Sequence, residues 1–454
     1  MSAAKLPSFV KETIDEAARI FTTKEGLKGV YGVSLYRNAV YLMINSAVLA
    51  STGVIFWMAA TRLYPTEAVG LASASIAAIG LLAHLSTLGL DYGLIRLLPG
   101  SGKRARDMIN SCFTVGGLTS IVLAFIFFAG LGFWSPALLP IREHPIFFAA
   151  FIFLALTHTL QRFTLHIFVT KRRAEFALVQ GLTYGLFRFA PLFVMTSFSH
   201  TFSIFASLGI AVSVSVAVAI FLLLPKVGKD YRPFPVIKKG VLKEMMRFSS
   251  ANYVANIFWM LPQLSLPLIV VNLLGAEQNA YFYIAWNVAS ILYMVPLATS
   301  SSLFAEGSHE GNKLEHSIKR SLKLNLVLLV PAMIILLLLG YKVLLFFGQA
   351  YSENATKLLW ILTASALPLS FNYVYYGIRR VEMRMKSVIG LNAFVTIATL
   401  GMSYLLLPRM GILGAGVAWL TTQSLVAVVV LLILNGRRHG SAASMPRGKE
   451  PIWR

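Results

Sequence analysis

Residues 203–224 read SIFASLGIAVSVSVAVAIFLLL, and residues 225–240 follow as PKVGKDYRPFPVIKKG. The first stretch is long enough to cross a hydrocarbon core, which takes roughly 20 apolar residues, and it contains no charge. The second is basic and rich in Pro and Gly, the chemistry of a connection outside the membrane. The same alternation runs along the whole chain. Apolar stretches fall at about 38–60, 68–93, 109–132, 146–169, 174–196, 203–224, 250–273, 280–303, 323–346, 357–378, 387–407 and 412–435. The sequence therefore predicts an all-α polytopic membrane protein with about twelve transmembrane helices.

Composition points the same way. Of 454 residues, 57% are apolar and 13% charged, against roughly 45–50% and about 25% in soluble domains. The mean hydropathy is +0.71. Disordered, disulfide-rich and ordinary soluble chains are excluded. One cysteine, Cys112, rules out an intrachain disulfide and a CxxC metal site.

A net charge of +22 would suggest nucleic acid on a soluble protein. Here the positions of Lys and Arg explain it. Thirty-three lie in the tails and in the connections after even-numbered spans; five (Arg62, Arg142, Lys342, Lys357 and Arg409) lie on the other side. The positive-inside rule puts both termini in the cytoplasm of a multi-pass cell-membrane protein. No nucleic-acid partner is needed, and the basic face should attract anionic lipid head groups. Residues 8–22 read as an amphipathic interfacial helix capped by Ser8, with Val10, Ile14, Ala17, Ala18 and Phe21 on one face.

A weak repeat appears at an offset of 210. Arg37 aligns with Arg247, and Leu63 and Glu67 of RLYPTEAVG (62–70) align with Leu273 and Glu277 of NLLGAEQNA (272–280). Basic turns follow spans 4 and 10, KRRAEF (171–176) and RRVEMR (379–384). Six spans per unit predict a parallel repeat of two six-helix bundles around a central cavity. The expected organisation is a cytoplasmic tail with its interfacial helix (1–34), an N-terminal bundle (35–224), a cytoplasmic linker (225–249), a C-terminal bundle (250–436) and a basic tail (437–454).

No GxxxxGK[ST] phosphate loop, DxD pair in a large loop or HExxH occurs. The expectation is a carrier with no cofactor or metal, not an enzyme. Ionisable groups at membrane depth cost roughly 2.5–3.5 kcal/mol or more unless they line water or find partners, so their positions carry the functional reading. His158, Arg162 and His166 share a face of span 4, with Gln161 beside them. Gln180, Thr183, Tyr184 and Arg188 share a face of span 5. His84, Thr87 and Asp91 lie on span 2, and Asn38, Tyr41 and Asn45 on span 1. Span 7 offers Asn252, Asn256, Trp259 and Gln263; span 8 offers Tyr283, Asn287 and Ser290.

The deep charge is cationic and confined to the first half. Arginine forks onto phosphate oxygens, while amides, Tyr and Trp suit sugar hydroxyls and faces. Candidate substrate-binding residues are Arg37, Arg162, Arg188, Asn45, His158, Asn252, Asn256, Gln263 and Asn287. Snorkelling of Arg162 and His166 is the alternative reading for those two, and helix–helix hydrogen bonding for His84 and His158. Asp91 and Arg37, at similar depth, are expected to form a structural or gating ion pair.

FWMAATRLYPTEAVGLASA (56–74), LSTLGLDYGLIRLLP (85–99) and GILGAGVAWLTTQ (411–423) resemble the polysaccharide-biosynthesis flippases of the multidrug/oligosaccharidyl-lipid/polysaccharide exporter superfamily. The resemblance covers about residues 35–435. It implies two bundles around a V-shaped cavity with alternating access, and a polyprenyl-(di)phosphate-linked oligosaccharide as cargo, moved from the cytoplasmic to the outer leaflet. Glycosyltransferases or a polymerase of the same pathway would be partners. Arg37 best matches the cavity arginines that hold pyrophosphate in such flippases. The chain departs from the lipid II flippases, which have about fourteen spans. It also lacks the deep acids of multidrug exporters, which puts the alternative, a cation-coupled multidrug antiporter on the same fold, in doubt. A third reading is a non-transporting scaffold docked through Lys238, Lys239 and Lys243.

Overall fold

The computed structural model describes residues 34–143, 145–195, 199–228, 231–309, 314–382 and 384–440. The expected interfacial helix at 8–22 and most of the basic C-terminal tail lie outside the described residues. Among those described, the chain is helical apart from short connections, with no strand, and twelve helices are long and apolar enough to cross a membrane. They are spans 1 (Arg37–Leu63), 2 (Thr66–Ser86), 3 (Ala105–Ala129), 4 (Pro145–Thr170), 5 (Ala174–Val194), 6 (His200–Val227), 7 (Lys239–Leu274), 8 (Ala276–Leu303), 9 (Ser317–Leu345), 10 (Gln349–Val381), 11 (Met385–Met410) and 12 (Leu413–Ile433). Helices are the economical solution here, because each satisfies its own backbone hydrogen bonds in a medium without water.

The repeat is visible in the helix ends. Span 2 starts at Thr66 and span 8 at Ala276, 210 residues apart; span 5 starts at Ala174 and span 11 at Met385, 211 apart. The two basic turns fold alike. The Arg173 amide donates to Phe168 O and the Arg384 amide to Arg379 O, both at 2.9 Å. Spans of each half pack chiefly with one another, and spans 2, 7 and 8 join the halves.

Small residues make that junction possible. Span 2 is written largely in Ala, Gly and Ser. At Gly70 a Cβ would lie 1.7 Å from the Ala276 carbonyl oxygen, so only glycine lets spans 2 and 8 come this close. Asn279 Nδ2 then donates to Gly70 O (2.8 Å) and Ser73 Oγ (3.1 Å). Nearby, Arg62 at the end of span 1 donates to Leu345 O (2.7 Å) and Phe346 O (3.2 Å) at the end of span 9. These contacts join the two halves at the end opposite the basic connections.

Two features differ from the sequence expectation. Span 2 does not run to residue 93. It stops at Ser86, Leu88 and Gly89 take φ of 51° and 77°, and a new helix covers Leu90–Leu97. Gly89 suits the left-handed turn and also the approach of Tyr253, whose Cβ would be 2.8 Å from an added methyl. Span 7 begins at Lys239, well before residue 250. Val241 and Met245 are buried, and Met245 packs on Gly93 of the short helix, so tertiary burial extends the helix into the expected linker. What remains of the linker is pinned to span 3. Val236 N donates to Thr114 Oγ1 and Lys238 N to Ser111 Oγ, both at 3.1 Å, and Asn110 Nδ2 donates to Arg232 O at 3.0 Å.

Candidate functional site

The expected residues divide into three places. The first is a polar cluster in the first half. The turn at Leu88–Gly89 swings Asp91 beneath span 4, where its Oδ2 lies 3.1 Å from Arg162 Nη2 and 4.0 Å from His166 Nδ1. Arg162 Nη1 is 2.7 Å from His84 Nε2, and His84 Nδ1 is 2.8 Å from Gly80 O. The ring therefore accepts from the guanidinium through Nε2 and donates to the carbonyl through Nδ1. Asp91 thus pairs with Arg162 and not with Arg37. Depth alone suggested the Arg37 pairing, but the break after span 2 changes which way Asp91 faces. His158 sits half-buried one turn from Arg162.

The second place surrounds Arg188, which is 4% exposed. Its Nη2 donates to Thr52 Oγ1. Its guanidinium carbon lies 5.1 Å from the Tyr184 ring centre, 5.5 Å from Phe56 and 5.9 Å from Phe189. Tyr283 of span 8 packs on Trp57 at 4.9 Å and faces the same cation. Among the described residues no carboxylate pairs with Arg188, and its Nε is buried without a hydrogen-bond partner. Cation–π contacts stabilise such a group while leaving its charge available to an anion.

The third place is a cavity in the second half. It has two adjoining chambers of about 490 Å³ and 230 Å³, with Trp259, Leu297, Tyr373, Tyr376 and Asn392 as common wall. Asn252, Asn256 and Arg380 line the larger chamber, which takes only Tyr92 from the first half. Gln263, Trp286, Tyr293, Trp419 and Gln423 line the smaller. Trp259 Nε1 donates to Tyr373 OH at 3.1 Å, across the partition. These two chambers lie mostly within the second half.

Of the sequence candidates, Asn252 and Asn256 thus line the larger chamber and Gln263 the smaller. The remaining candidates do not line these chambers. Asn45 is wedged against span 5, where a Cβ on Gly181 would meet its Oδ1 at 1.9 Å. Asn287 Nδ2 donates within its own helix to Tyr283 O at 2.8 Å. Arg37 is half-buried at the start of span 1. Sequence reasoning missed Tyr373, Tyr376 and Arg380, which recur at i, i+3 and i+7 in YVYYGIRR (373–380), and the pair Trp419 and Gln423 at i, i+4. The helical spacing was available, but Arg380 reads first as a topological charge and Trp419 as part of a packing motif.

Twelve spans in two related halves, with chambers lined by rings and amides among them, have the organisation of a membrane transporter. A family model described as "Polysaccharide biosynthesis protein" matches residues 60–356, more than half the chain. The chain belongs to that family. A Shigella flexneri relative, "Putative O-antigen transporter", is 23% identical over 154 residues, covering 33% of this chain and 37% of the relative; the chain thus spans well under half of that protein. Two solved structures share the fold. An inward-facing multidrug resistance MATE family transporter of the MOP superfamily aligns with a TM-score of 0.65 and 16% identity, covering 89% of this chain and 98% of the other. The lipid II flippase MurJ, in an inward closed conformation, aligns with a TM-score of 0.65 and 15% identity, covering 88% and 87%.

Proposed function

We propose that the protein is a non-enzymatic flippase that carries a polyprenyl-(di)phosphate-linked oligosaccharide from the cytoplasmic to the outer leaflet of the cell membrane, with both termini cytoplasmic. Residues 35–224 and 250–436 are the two bodies that rock during alternating access. The observation that carries this reading is Arg188: a cation buried among rings and a hydroxyl, without a carboxylate, awaits an anionic ligand. Transfer of a phosphorylated head through hydrocarbon alone would be prohibitive, and each sugar hydroxyl adds several kcal/mol. Arg162 is held by Asp91 and His84, so it organises the first bundle and Arg188 meets the phosphate. Membership of the polysaccharide-biosynthesis family supports the cargo class. Enzymes that assemble or polymerise the glycan are the fitting partners.

The test is transport of a fluorescent lipid-linked oligosaccharide in proteoliposomes. Arg188→Ala is expected to reduce the rate more than Arg188→Lys, with both variants folded. Wild-type rates for both remove Arg188 from the mechanism, and absence of transport by the wild-type protein overturns the flippase reading. The multidrug reading draws on the MATE-like fold. It calls for an acid able to hold a cation at the cargo site, and the lining of the two chambers contains no carboxylate.

A further inference from the structure

Cations explain how phosphate could be held; they leave open where a sugar would sit. The second-half cavity has the chemistry for that. Its walls include the rings of Trp259, Trp286, Tyr373, Tyr376 and Trp419, and its polar lining is amide-rich. Aromatic faces pack against the C–H faces of a pyranose, and amides match its hydroxyls as donors and acceptors together.

The amides also have bonding capacity left. Asn252 and Asn256 make no hydrogen bond among the described residues, although both line the larger chamber. Gln423 accepts from Asn372 Nδ2 through its side-chain oxygen at 2.7 Å, so its NH₂ remains for another acceptor. Asn392 donates to Ala255 O at 3.0 Å, which leaves its own oxygen. These are uncommitted groups facing space, whereas most polar side chains elsewhere in the spans bond back to their own helix.

Charge fixes an orientation. Arg380 is the cationic lining residue and is exposed at the basic end of span 10. Its neighbour Arg379 is already held by Tyr375 OH at 2.7 Å and Glu382 at 2.9 Å, so the two adjacent arginines are not equivalent. Gln263 lies about eleven residues beyond Asn252 on span 7, roughly 16 Å along the helix axis. The path therefore runs from a cation at the rim to amides and rings inside, with the Trp259–Tyr373 hydrogen bond as a partition.

We infer that the two chambers form a carbohydrate site in which Arg380 receives the phosphate at the rim, before it passes to Arg188, and the adjoining sugar ring enters between Tyr376 and Trp259. This assigns the phosphate-proximal sugar to the second half of the molecule, and it rests on the flippase reading for its cargo. The span-7 amides contact the first ring. Breaking the Trp259–Tyr373 bond admits the next ring to the smaller chamber, where Gln423 meets it.

The test uses the full-length protein in detergent and two probes, a short-chain isoprenyl diphosphate bearing N-acetylglucosamine and the same isoprenyl diphosphate without sugar. Binding is followed by calorimetry and by tryptophan fluorescence. The sugar-bearing probe should bind more tightly and alone perturb the fluorescence. Arg380→Ala should weaken both probes by about tenfold, the scale of one charge-assisted hydrogen bond. The double variant Asn252→Ala/Asn256→Ala should weaken only the sugar-bearing probe. Both sets of side chains lack structural hydrogen bonds, so folding is preserved, and unchanged melting temperatures verify it. Equal binding of the two probes by wild-type protein, or wild-type binding by the variants, overturns the site. If proteoliposomes move lipid-linked oligosaccharide while these variants bind normally, this site fails and the flippase reading stands. If wild-type protein binds as expected but moves nothing, the site stands and the flippase reading fails.

Discussion

Arg162 reaches Asp91 across the gap between span 4 and the short helix Leu90–Leu97, at 3.1 Å, and the Asp91 side chain is only 1% exposed. His84 engages the other guanidinium nitrogen at 2.7 Å. One arginine therefore ties span 2, the segment after its break, and span 4 into a single unit. Removing one partner of a buried pair leaves an uncompensated charge and costs about 3 kcal/mol or more. Asp91→Asn and Arg162→Ala should each lower the melting temperature in detergent, and the double variant Asp91→Asn/Arg162→Ala should lose less than the sum of the two. Strict additivity would show that the pair is not coupled. In cells, Asp91→Asn should reduce glycan export through this loss of stability. Loss of drug resistance with glycan export intact would instead favour the multidrug antiporter.

Gly70 gives a second prediction. A methyl there would overlap the Ala276 carbonyl at 1.7 Å and displace the Asn279 amide from Gly70 O. Gly70→Ala should destabilise by about 1–3 kcal/mol, the usual range for overpacking. A control at Gly53, where nothing lies within 4 Å of an added Cβ, should fold like the wild type. The comparison is made by melting temperature in the same detergent. Similar values for both variants would mean that the close crossing of spans 2 and 8 does not carry the junction.

How much of this could be read from the chain follows from the range of each interaction. Span number and approximate position are written in local composition, so the expected 146–169 and 387–407 meet observed helices at 145–170 and 385–410. The repeat survives because both halves need equivalent turns, at Arg173 and at Arg384. Facing is less local. Asp91 lies on the helical periodicity of His84 and Thr87, yet two residues with positive φ, Leu88 and Gly89, turn it toward Arg162. The cavity was half legible: Asn252, Asn256 and Gln263 share a stripe on one helix, whereas Tyr376, Trp419 and Gln423 join them only when spans 7, 10 and 12 pack together.

Thr52 and Arg188 supply a third prediction. The Thr52 hydroxyl accepts from Arg188 Nη2 and itself donates to Val48 O at 2.6 Å. Thr52→Val keeps the shape and removes the acceptor, leaving the cation among rings alone. The expected loss of stability is about 1–3 kcal/mol, the cost of an unsatisfied buried group. Transport should fall less than in Arg188→Ala, because the charge remains. A Thr52→Ser variant should restore both. Failure of serine to restore either would place the effect in packing rather than in the hydroxyl.

The strap between the halves yields the last prediction. Residues 231–238 have no helix of their own and are held to span 3 by Asn110, Ser111 and Thr114. Tyr231 is buried beside it, and burial pushes its phenol pKa up. Each backbone–side-chain hydrogen bond contributes about 0.5–1.5 kcal/mol net, so removing two should loosen the segment locally without unfolding the spans. In Ser111→Ala/Thr114→Val, trypsin should cut after Lys238 and Lys239 faster than in wild-type protein, while the helical content stays the same. Arg104 pairs with Glu244 at 3.2 Å on the same face, but both side chains are exposed and such pairs contribute little. Arg104→Ala should therefore leave the cleavage rate close to wild type. Equal protection of the strap in all three proteins would show that its position is set by buried Tyr231 and by Asn110, and not by the span-3 hydroxyls.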